Sequence, residues 1–148
     1  MNKIILILTL IISVSSFSQE KTEEISYSRI GNLTDEQINS SGASKLLFAK
    51  KSEIKKLAKQ DIMAGNPFLL LQGGIAPVMM ASDPKFEDKY KIYFYEYGCT
   101  GPDQSLIENY NKIIFDYLTD QYGKKWIKEV RDDVVGLDDW KKNLKIND

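Results

Sequence analysis

The residue best suited to chemistry in this sequence is its single cysteine, Cys99. It follows an aromatic run that is predicted to form a buried strand, and it precedes Gly101-Pro102, where a helix is predicted to begin. Backbone amide groups at a helix N-terminus stabilise a thiolate and lower the cysteine pKa. A lone cysteine is also commonly a small hydrophobic residue, buried at the end of a core strand. We expect the buried, structural role and keep the reactive thiol as the alternative.

Catalysis by Cys99 would need partners that the sequence does not supply. No second cysteine follows at the spacing of a dithiol motif, and no arginine follows at the spacing of a phosphatase loop. The sequence contains no histidine, which excludes Ser-His-Asp and Cys-His catalysis and the usual zinc and copper sites. We therefore predict no metal and no cofactor, and we lean towards a protein that is not an enzyme.

Glu96 is the second candidate for a catalytic group, because it lies between Tyr95 and Tyr97 in the aromatic run. Burial would raise the pKa of its carboxyl group unless a cation or a hydroxyl group pairs with it. A carboxyl group with a shifted pKa is a candidate for function. The end of a strand can also expose such a side chain or use it structurally, and the sequence leaves both possibilities open.

The candidate binding residues flank the ends of two predicted strands. They are Gly73, Gly74, Tyr95, Tyr97, Gly98, Thr100 and Gly101. Gly73-Gly74 lacks the third glycine and the lysine of a phosphate-binding loop, so a turn is the better interpretation. Alternate residues of a strand share a face, which places Tyr95 and Tyr97 together. That face would be a recognition surface if helices covered only the other side of the sheet, and part of the core if they covered both.

The elements that position these residues are two short apolar runs, at 68–72 and 91–97, each followed by glycine. A short helix that begins near Pro84 and ends near Tyr90 separates them, which predicts a parallel pair with a crossover on one face. The predicted fold class is α/β, with α+β as the alternative. We expect a small sheet of two to four strands with a β-α-β core and two C-terminal helices packed on it.

Helical patterns surround this core. Thr34 and Gln37 form a capping-box pattern, and apolar periodicity predicts helices near 52–64, 104–122 and 124–135. Residues 39–42 are predicted to form a loop, and 137–140 a last helical turn. Two segments stay ambiguous: 46–48 is a third strand or the start of a helix, and the apolar run 75–80 is an edge strand or a buried connection.

The predicted domain organisation has three parts: a signal peptide at 1–18, an N-terminal arm with a short helix at 19–42, and one compact domain at 43–148. The first part has a positive start, a short apolar run and small residues before Gln19. No cysteine stands at the cut, so we predict an exported protein, periplasmic or secreted, that is not a lipoprotein. No membrane span is predicted after cleavage.

The overall charge is close to balanced. Without residues 1–18, which carry only Lys3, the chain holds 19 basic and 21 acidic residues, a net charge of −2. Such a balance predicts no strong sequence-independent attraction to nucleic acid or to an anionic membrane. The lysines near 55–59 are interpreted as the solvated face of a helix.

One family resemblance accompanies these patterns. It rests on Phe86-Glu87-Asp88-Lys89-Tyr90, Gly98-Cys99, Tyr110-Asn111, and Tyr122-Gly123 with Trp126. This pattern resembles the FEKKY domain of exported Bacteroidetes proteins over residues 84–131, although Asp88 stands where that name has lysine. The resemblance implies an exported bacterial domain and carries over no functional residue.

The function predicted from the sequence is a non-catalytic binding or interaction module. Its partner would be a protein, peptide or glycan in the cell envelope or outside the cell, and not nucleic acid. A thiol-dependent enzyme or redox sensor using Cys99 is one alternative. A carrier of a small ligand at the strand ends is the other.

Overall fold

The structure is a computed structural model that describes residues 33–76 and 78–146. Within these residues lie six α-helices and two strands. Their bounds are α1 Asp35–Ser40, α2 Gly42–Lys45, α3 Ile54–Met63, β1 Phe68–Leu71, α4 Asp83–Tyr90, β2 Tyr93–Glu96, α5 Gln104–Tyr122 and α6 Leu137–Ile146. Short 3-10 turns cover Leu46–Phe48, Lys51–Glu53 and Gly123–Lys128. The predicted signal peptide and the arm up to residue 32 lie outside the described residues.

The two strands form a parallel pair, as predicted. Phe68 lies opposite Tyr93 and Leu71 lies opposite Glu96, and α4 provides the crossover between the strands. All four residues of β1 are buried, because this strand has packed neighbours on both of its faces. The predicted β-α-β core and the mixed α/β class are therefore confirmed.

Side chains from other elements cover both faces of this sheet. On one face the ring of Phe94 lies 5.4 Å from that of Phe86 in α4. On the other face the hydroxyl group of Tyr97, the residue that follows β2, donates a hydrogen bond to the Ala43 carbonyl of α2. The tyrosines of β2 are half-buried, which places this face at the margin of the core rather than open to solvent.

The long helix α5 has the predicted bounds, and Gly123, at a φ of +67°, ends it. The prediction of a second helix over 124–135 is wrong. The chain forms a 3-10 turn there and then leaves the helical path, because the Val135 amide donates to the Leu70 carbonyl of β1. The apolar pattern still identified buried residues, since the Trp126 ring packs on the Phe115 ring at 5.7 Å. Helix α6 extends well beyond the single turn predicted at 137–140.

Two predictions near the N-terminal side need correction. The capping box of Thr34 and Gln37 is present, but residues 39–42 are not all loop, because α2 begins at Gly42. The buried carboxylate of Asp61 accepts hydrogen bonds from the Gly42 and Ala43 amides, and this contact from α3 starts the helix. Residues 46–48 form neither a strand nor the start of an α-helix but a 3-10 turn that follows α2.

The apolar run at 75–80 is the largest departure from expectation. Its described residues, 75, 76 and 78–80, lie in no strand, and they are not a buried connection, because Ile75 is 98% exposed and Val78 58% exposed. Met79 and Met80 are also exposed, at 49% and 38%. We call residues 75, 76 and 78–80 the apolar loop. Polar contacts to its backbone, described below, explain why the apolar side chains face solvent.

Candidate functional site

The carboxyl ends of β1 and β2 meet at one edge of the molecule. We call Gly73, Gly74, Glu96 and Gly98 the rim. A Cβ atom added to Gly73 would lie 1.7 Å from Glu96 Oε1, so the carboxylate packs directly against the Gly73 backbone. A Cβ atom added to Gly98 would lie 3.7 Å from the Gly74 carbonyl oxygen. The structure thus brings these four predicted residues together, as the parallel order of the strands requires.

The Glu96 side chain holds the apolar loop. Its Oε2 atom accepts a hydrogen bond of 3.2 Å from the Val78 amide, and its carboxylate covers Gly73. The side chain is half-buried. This geometry gives Glu96 a positioning role for the chain that follows β1.

Arg131 is the central residue of the site, and sequence reasoning missed it. Its Nη1 atom donates hydrogen bonds of 2.9 Å to the Val78 carbonyl and to Asp83 Oδ2. Its Nε and Nη2 atoms donate to the two carboxylate oxygens of Asp133, at 2.6 and 2.7 Å. The side chain is only 2% exposed, and its guanidinium lies 5.6 Å from the centre of the Phe94 ring. The hydrogen bond to Asp133 raises the pKa of Arg131, and the arginine lowers that of Asp133.

Asp83 completes the attachment of the loop. Its Oδ2 atom accepts the Arg131 hydrogen bond and another of 2.8 Å from the Met80 amide. Three side chains therefore bind the loop backbone. Glu96 binds the Val78 amide, Arg131 binds the Val78 carbonyl, and Asp83 binds the Met80 amide. These ionisable side chains hold the backbone of the apolar loop on the side that faces the protein, and the apolar side chains of the loop remain exposed to solvent.

The space under this loop is closed. A void of about 10 Å³ lies between Leu71, Val78, Met79, Asp83, Phe94, Glu96 and Arg131. That volume is about the minimum that one water molecule needs, and small-molecule pockets are roughly thirtyfold larger or more. This void under the apolar loop is therefore too small to hold a small ligand.

Cys99 does not occupy the expected environment. It is exposed, so the expectation of a buried thiol is wrong. It lies in a turn that precedes α5, and this helix begins only at Gln104. Thr100, the next residue, is also exposed. Nothing in the described structure positions a base or a cation beside the sulfur atom.

The tyrosine candidates make internal contacts. The Tyr95 and Tyr97 ring centres lie 4.9 Å apart, and the Tyr97 hydroxyl group is bound to the Ala43 carbonyl. Burial is the main cause that raises the pKa of Tyr97. A Cβ atom added to Gly101 would lie 3.1 Å from Tyr97 Cβ, so this glycine allows the chain to pass close to the ring. These residues hold the turn at 98–101 against α2.

Arg131 left only a weak signal in the sequence. It is one of two arginines in the chain, and it lies within the apolar pattern of Trp126, Val130 and Val134. A cation inside such a pattern is rarely fully buried without a partner. That rule could have predicted a buried pair, but not that Asp83 would be the partner.

Among residues 33–76 and 78–146, no group of three or more carboxylate or thiol side chains is arranged to hold a metal ion. The helices of that same part of the chain include none that is long and apolar enough to cross a bilayer.

Comparisons with protein-family models, with curated proteins and with solved structures give no match to this chain. The resemblance to the FEKKY domain therefore stays a prediction.

Proposed function

We propose that this protein is an exported, non-catalytic interaction module that binds another protein through the apolar loop. The observation that carries the proposal is the exposure of Ile75, Val78, Met79 and Met80 in one short segment. Contiguous exposed apolar surface on a folded domain is typical of protein interaction sites. Scattered single residues would not support this, but these four lie within six consecutive positions of the chain.

The attachment of the loop supports the same function. Arg131 and Asp83 are buried, and together with Glu96 they bind the backbone of Val78 and Met80. A segment that is already ordered loses less conformational entropy when it binds a partner. Burying the Arg131–Asp83 pair costs desolvation free energy for both charges. A role for the loop that this pair holds would account for that cost.

The chemistry of the loop favours a protein over a glycan. Its exposed side chains are aliphatic or thioether groups, which pack against apolar surface, and methionine adapts its shape to irregular partners. The loop presents neither an aromatic platform nor a set of polar side chains for sugar hydroxyl groups. We therefore narrow the predicted partner to a protein or peptide with an apolar groove.

Site-specific photo-crosslinking tests the proposal. A photoreactive amino acid is placed at Ile75, at Met79, or at the exposed control position Lys125, and crosslinking is carried out in the cells that make the protein. We expect the same covalent adduct from both loop positions and none from position 125. The partner is then identified, purified and titrated against the wild-type protein.

A pair of matched variants decides whether the loop is the contact. Ile75→Asp should weaken binding to the purified partner by about tenfold or more, because a charge would enter an apolar contact. Phe48→Asp makes the same change at another strongly exposed apolar residue and should alter the Kd less than about twofold. Equal effects of the two variants, or no adduct specific to the loop, would overturn the proposal.

Export rests on residues 1–18, which lie outside the described structure. N-terminal sequencing of the protein from its native source should begin at Gln19, and an intact Met1 would contradict this part of the proposal. Neither alternative gains a favouring observation: Cys99 is an exposed thiol in a turn, and the void under the apolar loop is too small for a ligand.

A further inference from the structure

Positive charge is concentrated in one short stretch of the sequence. Residues 45–59 contain six lysines and one glutamate, a net charge of +5, whereas the rest of the chain holds 14 basic and 20 acidic residues, a net charge of −6. The near-zero total therefore conceals a separation of charge. We call Lys50, Lys51, Lys55, Lys56 and Lys59 the lysine face, and all five are exposed.

Within the described part of the chain, no ion pair neutralises the lysine face. None of its five ammonium groups lies within ion-pair distance of a carboxylate in the described part of the chain. Lysines elsewhere do form such pairs, for example Lys89 with Glu129 at 2.7 Å. Glu53 is the one acid inside the stretch, and its carboxylate accepts a 2.8 Å hydrogen bond from the Lys50 backbone amide. The described residues thus leave the five ammonium groups without an ion-pair partner.

The fold places three of these lysines, Lys55, Lys56 and Lys59, on a single surface. Helix α3 buries Ile54, Leu57, Ala58 and Asp61 against the core. The opposite side forms a shallow groove lined by Ser52, Lys55, Lys56, Lys59, Gln60 and Met63. Because residues three and four apart are neighbours on a helix, the lysines of α3 form one continuous stripe.

Exposed apolar side chains flank this stripe in sequence. Phe48 precedes the lysine face and Met63 follows it, and each is 87% exposed. Leu47, beside Phe48, is also exposed. Met63 also lines the groove with Lys55, Lys56 and Lys59. A surface that combines lysines with a protruding apolar group matches the interface of a lipid bilayer, which has charged headgroups above an apolar interior.

We propose that the lysine face, with Phe48 and Met63, binds the surface of an anionic lipid bilayer. Each lysine close to such a surface strengthens binding by roughly fivefold, and inserted apolar side chains add to it. Binding at the backbone of nucleic acid would use the lysines but would leave Met63 and Leu47 without a role. This inference is independent of the apolar loop and of its protein partner, and it revises the expectation drawn from net charge alone.

Vesicle co-sedimentation of the purified protein tests the assignment. The vesicles are phosphatidylcholine alone, or phosphatidylcholine with about one quarter phosphatidylglycerol, and the salt is about 0.1 M or about 1 M NaCl. We expect about tenfold or stronger partitioning onto the anionic vesicles at low salt, and most of this preference should disappear at high salt. Equal binding to both kinds of vesicle would overturn the proposal.

Charge-matched variants locate the surface. Lys55→Gln, Lys56→Gln and Lys59→Gln together should lower partitioning by about tenfold or more. The control replaces three exposed lysines outside the face, Lys85, Lys125 and Lys128, with glutamine and has the same net charge. It should stay within about twofold of the wild type. Equal losses in the two variants would overturn the proposal, because net charge alone would then explain the binding.

The apolar component separates a bilayer from other polyanions. The double variant Phe48→Ser with Met63→Ser should lose about fivefold or more in partitioning onto anionic vesicles. Unchanged partitioning, or tighter binding to duplex DNA or polyglutamate than to the vesicles, would overturn the lipid assignment. Ile75→Asp should leave vesicle binding unchanged, so failure of this inference and failure of the proposed protein contact are distinguishable.

Discussion

The two outer edges of the sheet are closed by different chemistry. At β1, Asn111 of α5 accepts a 2.9 Å hydrogen bond from the Leu70 amide and donates to the carbonyl oxygens of Leu70 and Val135, each at 2.9 Å. At β2, Glu87 of α4 accepts a 3.0 Å hydrogen bond from the Phe94 amide. These buried side chains, joined at β1 by the Val135 amide, occupy backbone groups that a third strand would otherwise use.

The difference between the edges is one of protonation. The Asn111 amide supplies both donors and an acceptor and has no charge to lose or gain. Burial raises the pKa of Glu87 to about 7, and the nearby charge of Asp83 also raises it, against the opposing effect of the Phe94 hydrogen bond. The β1 edge is therefore insensitive to pH, whereas the β2 edge titrates near neutrality.

The largest expected effect on stability comes from placing a carboxylate at the β1 edge, as Glu87 does at the β2 edge. Asn111→Asp replaces the donating Nδ2 by a charged oxygen that faces two carbonyl groups. We expect a loss of at least about 4 kcal/mol in the free energy of unfolding near pH 7, measured by urea denaturation. Asn109→Asp, at an exposed position of the same helix, is the matched control and should change little. A loss no larger than that of the control would show that the amide contacts contribute nothing.

Arg131→Met should give the next largest loss of stability. Arg131 lies close to the β2 edge, because its guanidinium packs over the Phe94 ring. Asp83 would keep a buried charge without its partner, and the Val78 carbonyl would lose its donor. We expect a loss of about 3 kcal/mol, because removing one member of a buried pair leaves the other uncompensated. Exposed Lys128→Met serves as the control. A loss below about 1 kcal/mol would mean that Asp83 is solvated without the arginine.

Glu87→Gln tests the titrating edge directly. The folded-state pKa of Glu87 lies above its ordinary value of 4.5, so folding favours the protonated form. Its contribution to stability is complete below about pH 4.5 and is lost as the pH rises to 7 and beyond. Between about pH 5 and pH 8 this loss should be on the order of 2 kcal/mol.

Glutamine keeps the oxygen that accepts the Phe94 hydrogen bond but cannot ionise. We therefore expect the Glu87→Gln variant to be more stable than the wild type at about pH 8 and to show a flatter pH dependence, measured by denaturation at each pH. A variant with the same slope as the wild type would place the titration elsewhere. The buried carboxyl group of Asp61 is the first place to look, because burial also raises its pKa.

Local signals in the sequence were sufficient to predict the two strands and the bounds of α5. Apolar runs bounded by glycine or proline identified 68–72 and 91–97, and the rule for parallel strands placed Gly73 and Gly98 at the same rim. These features depend on residues close together in the chain or on the direction of the strands. Both can be inferred from the sequence without knowing any side-chain contact.

The polar contacts could not be predicted, because they join distant residues. Arg131 and Asp83 are 48 positions apart, and Asn111 and Leu70 are 41 apart. The prediction for the apolar loop was wrong for the same reason. Its hydrophobicity indicates what burial would gain, but the side chains that bind Val78 from below hold the loop at the surface instead. A pattern of hydrophobicity carries no information about such anchors.

The smallest expected effect is at Asp88, the carboxylate next to Glu87 in α4. Asp88 is exposed and accepts a 2.6 Å hydrogen bond from Lys91, which lowers its pKa. Asp88→Asn should leave the urea midpoint unchanged between about pH 5 and pH 8, because exposed pairs are screened by solvent. If Asp88→Asn instead flattened the pH dependence as Glu87→Gln does, the titration would belong to the charge of α4 as a whole. The contrast between the two sheet edges would then have no basis in the Glu87–Phe94 contact.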